Sequence, residues 1–145
     1  MVRSVASRWG SPTDVVRRQP DQTIYNPPVS AITTHVLDTS LGRPAAGVSV
    51  VLERGKTPNG WQVIGSGRTD SDGRVRTLMD EATPAEPGTY RLVFDTRGYF
   101  EARGVSTFYP TVIVTFDVPA SANSASHYHV PLLLSPFGYT TYRGS

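Results

Sequence analysis

The stretch AITTHVLDT, residues 31–39, puts Ile32, Thr34 and Val36 on one side of an extended chain and Thr33, His35 and Leu37 on the other. A period of two is the mark of a half-buried strand, whose successive side chains point to opposite faces. The same period recurs along the chain. GVSVVLER groups Val48, Val50 and Leu52; TYRLVFDT pairs Leu92 with Phe94; TVIVTFDV groups Val112, Val114 and Phe116. HYHVPLLL sets Tyr128, Val130, Leu132 and Leu134 against His129, Pro131 and Leu133. Between these runs lie breaks rich in Gly, Pro, Asn and Asp, such as Thr57-Pro58-Asn59-Gly60, Asp70-Ser71-Asp72-Gly73 and Arg97-Gly98. Short alternating runs with turn punctuation predict an all-β antiparallel sandwich of seven or eight strands. Only LMDEATPAE, Leu78 to Glu86, offers a short helix, and Pro84 limits it.

Working outward, residues 1–30 show no sustained period and run into the proline pair Pro27-Pro28, so they are expected to be a flexible extension. Residues 31–145 form the domain. A chain of 145 residues with 38% hydrophobic and 18% charged residues buries a sufficient core without a staple. Net charge is only +2 and the cations are scattered, which argues against nucleic acid as a partner. The absence of cysteine excludes disulfides, thiolate metal sites and a cysteine nucleophile. No apolar run reaches the roughly 18 residues of a membrane span, and the amino-terminal stretch lacks the apolar run of a secretory signal. A cytoplasmic protein is expected.

The chemistry-bearing residues are few. His35 and His129 each sit on the face of their strand opposite the apolar set, and His127 shares the side of His129. On an antiparallel sheet that second face is normally wet. Three readings stand: solvated surface histidines, a three-histidine zinc centre, or metal-free acid–base chemistry in which imidazoles activate water and an arginine holds an anionic substrate. The TDSDGR stretch, Thr69 to Arg74, lacks the ligand spacing of a calcium loop and reads as a tight turn, with Gly73 taking positive φ and Arg74 opening the next strand. No Gly-rich phosphate loop, nucleophile-elbow serine or carboxylate pair is present.

Five blocks closely resemble one family: THVLD at 34–38, GRPAAGVSVVLER at 42–54, TDSDGR at 69–74, GTYRLVFDT at 88–96 and HYHVPLLLSPFGYTTYRGS at 127–145. They resemble the 5-hydroxyisourate hydrolases, the transthyretin-related proteins, from about Ile32 to Ser145. The middle blocks also recur in related sandwiches without activity; the terminal Tyr-Arg-Gly-Ser is the diagnostic part, and separates the hydrolases from transthyretin, a carrier.

The resemblance implies a transthyretin/prealbumin-like Greek-key β-sandwich of two four-stranded sheets with one short helix. It also implies a homotetramer with sites at the dimer–dimer channel. The implied reaction is hydrolysis of 5-hydroxyisourate to 2-oxo-4-hydroxy-4-carboxy-5-ureidoimidazoline in urate degradation, without metal or other cofactor. Carried over position by position, His35, Arg74, His129 and Ser145 are the expected catalytic group. His35, Arg74, His129, Tyr142 and Arg143 are the expected substrate contacts. The departures are the long amino-terminal extension and Phe137, where the family often has tyrosine. The alternative on this fold is a non-catalytic carrier of a small aromatic ligand. A histidine base with an ordinary pKa would lose activity as pH falls through roughly 6–7.

Overall fold

Alternation becomes two stacked sheets. The computed structural model describes residues 29–145. The elements are β1 (Ile32–Asp38), β2 (Arg43–Pro44), β3 (Ser49–Gly55), β4 (Trp61–Arg68), β5 (Arg74–Val75), β6 (Gly88–Phe94), α1 (Thr96–Glu101), β7 (Val112–Val118), β8 (Tyr128–Ser135) and β9 (Gly138–Thr141). One sheet runs β4-β3-β6-β7; the other runs β2-β1-β8-β9, with the two-residue β5 also pairing β1. Most of the expected extension lies outside the described residues. Ser30, assigned to it, is buried, and its N–H donates to the Arg76 carbonyl at 2.7 Å.

The inward sets are those the alternation names. Ile32, Val36, Val50, Leu52, Leu92, Phe94, Val112 and Leu132 are all 0% exposed. Each such side chain contributes about 1.5–3 kcal/mol by leaving water. The all-β sandwich read from the sequence is thus the fold observed, with three differences in detail.

First, one sheet has five strands, because the short β2 and β5 both pair along β1. Second, β1 and β8 pair in parallel, with Thr33 opposite His129 and His35 opposite Pro131. These strands come from opposite ends of the domain, so no hairpin forces them antiparallel. Third, Leu78–Glu86 is not helical. Asp80 instead closes a turn, its Oδ1 accepting from the Ala82 N–H at 2.9 Å and its carbonyl from the Thr83 N–H at 3.0 Å. Such local bonds compete with helix.

The one helix among the described residues is α1, read from sequence as a turn at Arg97-Gly98. Asp95 caps it by accepting from the Gly98 N–H at 2.9 Å, and Tyr99 and Phe100 bury its inner side. The Tyr99 hydroxyl donates to the buried Asp38 carboxylate at 2.7 Å, tying the helix to the end of β1. Burial and the Asp38 carboxylate push the Tyr99 phenol up to about 12.

Candidate active site

The outer face of the five-stranded sheet carries the site, and local backbone rules place each member. Gly73 takes φ +73°, and a Cβ there would lie 2.4 Å from the Val36 carbonyl oxygen, so only glycine fits. Asp70 stabilises the turn, its Oδ1 accepting from the backbone N–H of Asp72 at 2.8 Å and of Arg74 at 3.0 Å. The Gly73 carbonyl then accepts from the Val36 N–H at 2.7 Å, which docks the turn on β1. Arg74 thereby stands opposite His35 in the β1–β5 register.

The carboxyl-terminal segment is placed by a proline. β9 pairs with β8 as far as Leu132↔Thr141, and pairing resumes only at the bridge His129↔Gly144. The carbonyls of His129 and Pro131 both face this segment, accepting from the Gly144 N–H at 2.8 Å and the Thr141 hydroxyl at 2.7 Å. Pro131 has no N–H to add there, so the ladder lapses at Tyr142 and Arg143. Gly144 closes against β8 because it has no side chain: a Cβ would lie 2.5 Å from His129 Cδ2.

The result is a cavity of about 380 Å³ lined by Thr33, His35, Arg74, His127, His129, Tyr142 and Ser145, with Val29, Thr34, Arg76 and Gly144. Five of the six residues singled out from the sequence, His35, Arg74, His129, Tyr142 and Ser145, meet there. Arg143 does not. It turns to a neighbouring cleft, its guanidinium carbon 5.5 Å from the centre of the Tyr128 ring. The sequence reading missed Thr33 and Arg76. Thr33 was legible in principle, since it precedes His35 by two on the same strand face. Arg76 pairs with Asp70 at 2.9 Å, whereas Arg74 has no ion pair among the described residues.

Both strand histidines are held below the ordinary imidazole range. For His129 the causes are burial, then the Arg74 guanidinium, then His127 and His35. For His35 they are burial and then Arg74, opposed by a backbone hydrogen bond to Asp72 and by the Asp70 and Asp72 carboxylates. Neutral imidazoles and an unpaired guanidinium can take a proton from water and hold a developing negative charge in one small space. No group of three or more His, Asp or Glu side chains among the described residues is disposed to hold a metal ion.

Fold and cavity together define a transthyretin-like β-sandwich with a histidine–arginine pocket on the outer face of one sheet. Residues 32–144 match the model of the HIUase/Transthyretin family, and the chain belongs to that family. It is 48% identical over 114 residues to the 5-hydroxyisourate hydrolase of Salmonella dublin, spanning 79% of this chain and 80% of that one. The solved 5-hydroxyisourate hydrolase of Klebsiella pneumoniae superposes with a TM-score of 0.67 at 33% identity, covering 80% of this chain and 94% of its own. Sea bream transthyretin, solved in complex with thyroxine, gives 0.72 at 33% identity over 79% of this chain and 94% of its own. Backbone similarity therefore does not separate a hydrolase from a thyroxine-bound transthyretin; the side chains in the cavity must.

Proposed function

We propose that this protein hydrolyses 5-hydroxyisourate. One observation carries the proposal: His35, Arg74, His129, Tyr142 and Ser145 line a single cavity, although they come from four separate parts of the chain. A carrier gains nothing from two neutral imidazoles beside an unpaired guanidinium.

Water adds to a ring carbonyl carbon while His129 or His35 takes its proton. Arg74 holds the oxygen on which charge develops, because a guanidinium is a permanent forked donor. The ring C–N bond then breaks, the nitrogen takes the proton back, and one water has been added across the amide. Tyr142 and Ser145 orient the substrate, and Arg143, stacked on Tyr128, stiffens the segment that carries Tyr142.

The proposal includes a homotetramer with the cavities opening on a channel between dimers. In its support, Phe108 and Phe137 are 71% and 73% exposed, and Tyr109 contacts both Phe108 and Tyr139 edge to face, an aromatic group suited to burial against another copy. Light scattering on a sizing column would return a monomer mass if this part is wrong. No helix among the described residues is long and apolar enough to cross a membrane. A cytoplasmic location goes with the proposal and is checked by cell fractionation.

The test is an ultraviolet time course of freshly generated 5-hydroxyisourate, from urate and urate oxidase, with and without the protein. Wild type should speed the decay, and His129→Ala and a chain ending at Thr141 should not. Unchanged decay with wild type would leave the carrier reading in possession.

A further inference from the structure

Among the side chains of the cavity that have no task in the reaction just described are Thr33 and His127. Thr33 points outward from β1, yet it is only 5% exposed, because it stands directly opposite His129 across the parallel β1–β8 pair. Its Oγ1 lies 2.9 Å from His129 Nδ1 and 3.2 Å from His127 Nε2. The two imidazoles are nearly parallel, 12° apart with centroids separated by 6.5 Å, and the hydroxyl bridges them.

Hydrogen counting limits what this bridge can be. A hydroxyl has one hydrogen to give, and a neutral imidazole is protonated on one nitrogen only. If Thr33 donates to His129 Nδ1, then His129 carries its own hydrogen on Nε2 and is no base. If Thr33 donates to His127 Nε2, it accepts from the His129 Nδ1–H, and the His129 Nε2 lone pair is left free. No described residue hydrogen-bonds that Nε2. Arg74, which has no ion pair among the described residues, lines the same cavity, and a lone pair is favoured over an N–H in the field of a cation. His127 is exposed, so water can accept the hydrogen it then carries on Nδ1.

We propose that Thr33 and His127 are positioning residues for His129: the Thr33 hydroxyl donates to His127 Nε2 and accepts from His129 Nδ1–H, which presents the His129 Nε2 lone pair to the attacking water. The inference rests on the hydrolase reading and deepens it. His129 Nε2 takes the water proton, both its nitrogens are then protonated, and Thr33 still accepts from Nδ1. Return of the Nε2 proton to the leaving nitrogen restores the starting state without any change of tautomer.

The experiment combines steady-state kinetics with nitrogen NMR of the histidine rings in the full chain. Thr33→Val keeps the shape and removes the hydroxyl; it should lower kcat on the order of 10²-fold with KM nearly unchanged. In the same variant His129 should lose its Nδ1–H tautomer. Thr33→Ser should recover most of kcat. His127→Phe should behave like Thr33→Val even though His129 and Thr33 are intact, because the Thr33 hydrogen is released toward His129. His127→Gln, whose amide oxygen can accept that hydrogen, should recover activity. His127 is exposed, so its variants carry the test even if Thr33→Val folds poorly.

Wild-type kcat in both Thr33→Val and His127→Phe would overturn the inference, as would wild-type His129 protonated on Nε2. Failure of wild type to hydrolyse the substrate would instead sink the hydrolase reading, and the NMR would still report on the bridge.

Discussion

The two sheets have outer faces built by the same alternation, and they do opposite things with charge. On the four-stranded sheet, charged and polar groups find partners across the strands. Arg91 bonds Glu53 directly opposite it in the β3–β6 register, and its guanidinium sits 4.1 Å from the centre of the Trp61 ring. The Thr89 hydroxyl donates to Asp117, its own register partner, at 2.7 Å. On the five-stranded sheet, His35 faces Arg74 and Thr33 faces His129, and no carboxylate among the described residues pairs with Arg74. A compensated face needs no further ligand. The other face leaves cation and lone pairs unspent, which is the physical signature of a site.

Four outcomes would break or sharpen that contrast. The largest effect belongs to the uncompensated arginine. Arg74→Ala should lower kcat/KM on the order of 10²–10³-fold, as loss of a donor to a developing oxyanion does. Arg91→Ala, on the compensated face, should leave kcat/KM unchanged in the same ultraviolet assay. Equal losses from both would erase the distinction between the faces.

Next comes the packing of the carboxyl-terminal segment. Gly144→Ala forces a methyl against the His129 ring and should cost about 10- to 100-fold in kcat/KM through misplacement of Tyr142 and Ser145. Gly138→Ala is the matched control, since its Cβ would meet nothing nearer than Ser135 Oγ at 3.6 Å. Full activity in Gly144→Ala would free the segment from any part in the site.

A smaller effect is read from the pH profile. Burial and Arg74 depress both histidines, so the neutral base persists as pH falls below the 6.5 of a free imidazole and is lost only beneath it. The acid limb of kcat/KM should therefore have its midpoint below 6.5, lower than the roughly 6–7 expected from an unperturbed histidine. Residual activity of Arg74→Ala should show that limb moved to higher pH, because a depressing cation has gone. A wild-type midpoint above 6.5 would mean that neither depressed histidine is the base.

The smallest effect is one of stability. Arg91→Ala should cost about 1 kcal/mol in urea unfolding, the upper range for a partly exposed ion pair. Arg74 has no such pair among the described residues, so Arg74→Ala should leave the urea midpoint in place. A destabilised Arg74→Ala would show that the arginine is held by partners after all.

Much of this was legible in the residues. Alternation in AITTHVLDT and HYHVPLLL assigns Val36 and Val130 to the core and His35 and His129 to the outer face, and burial agrees. Gly73 announces a turn that only glycine can make, and the resemblance to the hydrolases picks out Arg74 beyond it. The short helix was misplaced because a capping aspartate followed by glycine reads equally as a turn until Tyr99 and Phe100 are seen to bury against the sandwich. Arg143 came with Tyr142 through the family's terminal tetrapeptide; neighbours on an extended chain point opposite ways, so its guanidinium lies over Tyr128 beside the cavity that Tyr142 lines.

By itself, then, the sequence determined which side chains face inward, where the chain turns and which family it joins, because each follows from a local period, a local steric rule or a matched motif. Register was decided only by the tertiary structure. Thr33 lies 94 residues from His127 and 96 from His129, and no local pattern says that one hydroxyl will bridge both rings. That contact exists because β1 and β8 pair in parallel, in one register out of many, and the register is chosen by how two buried faces fit together.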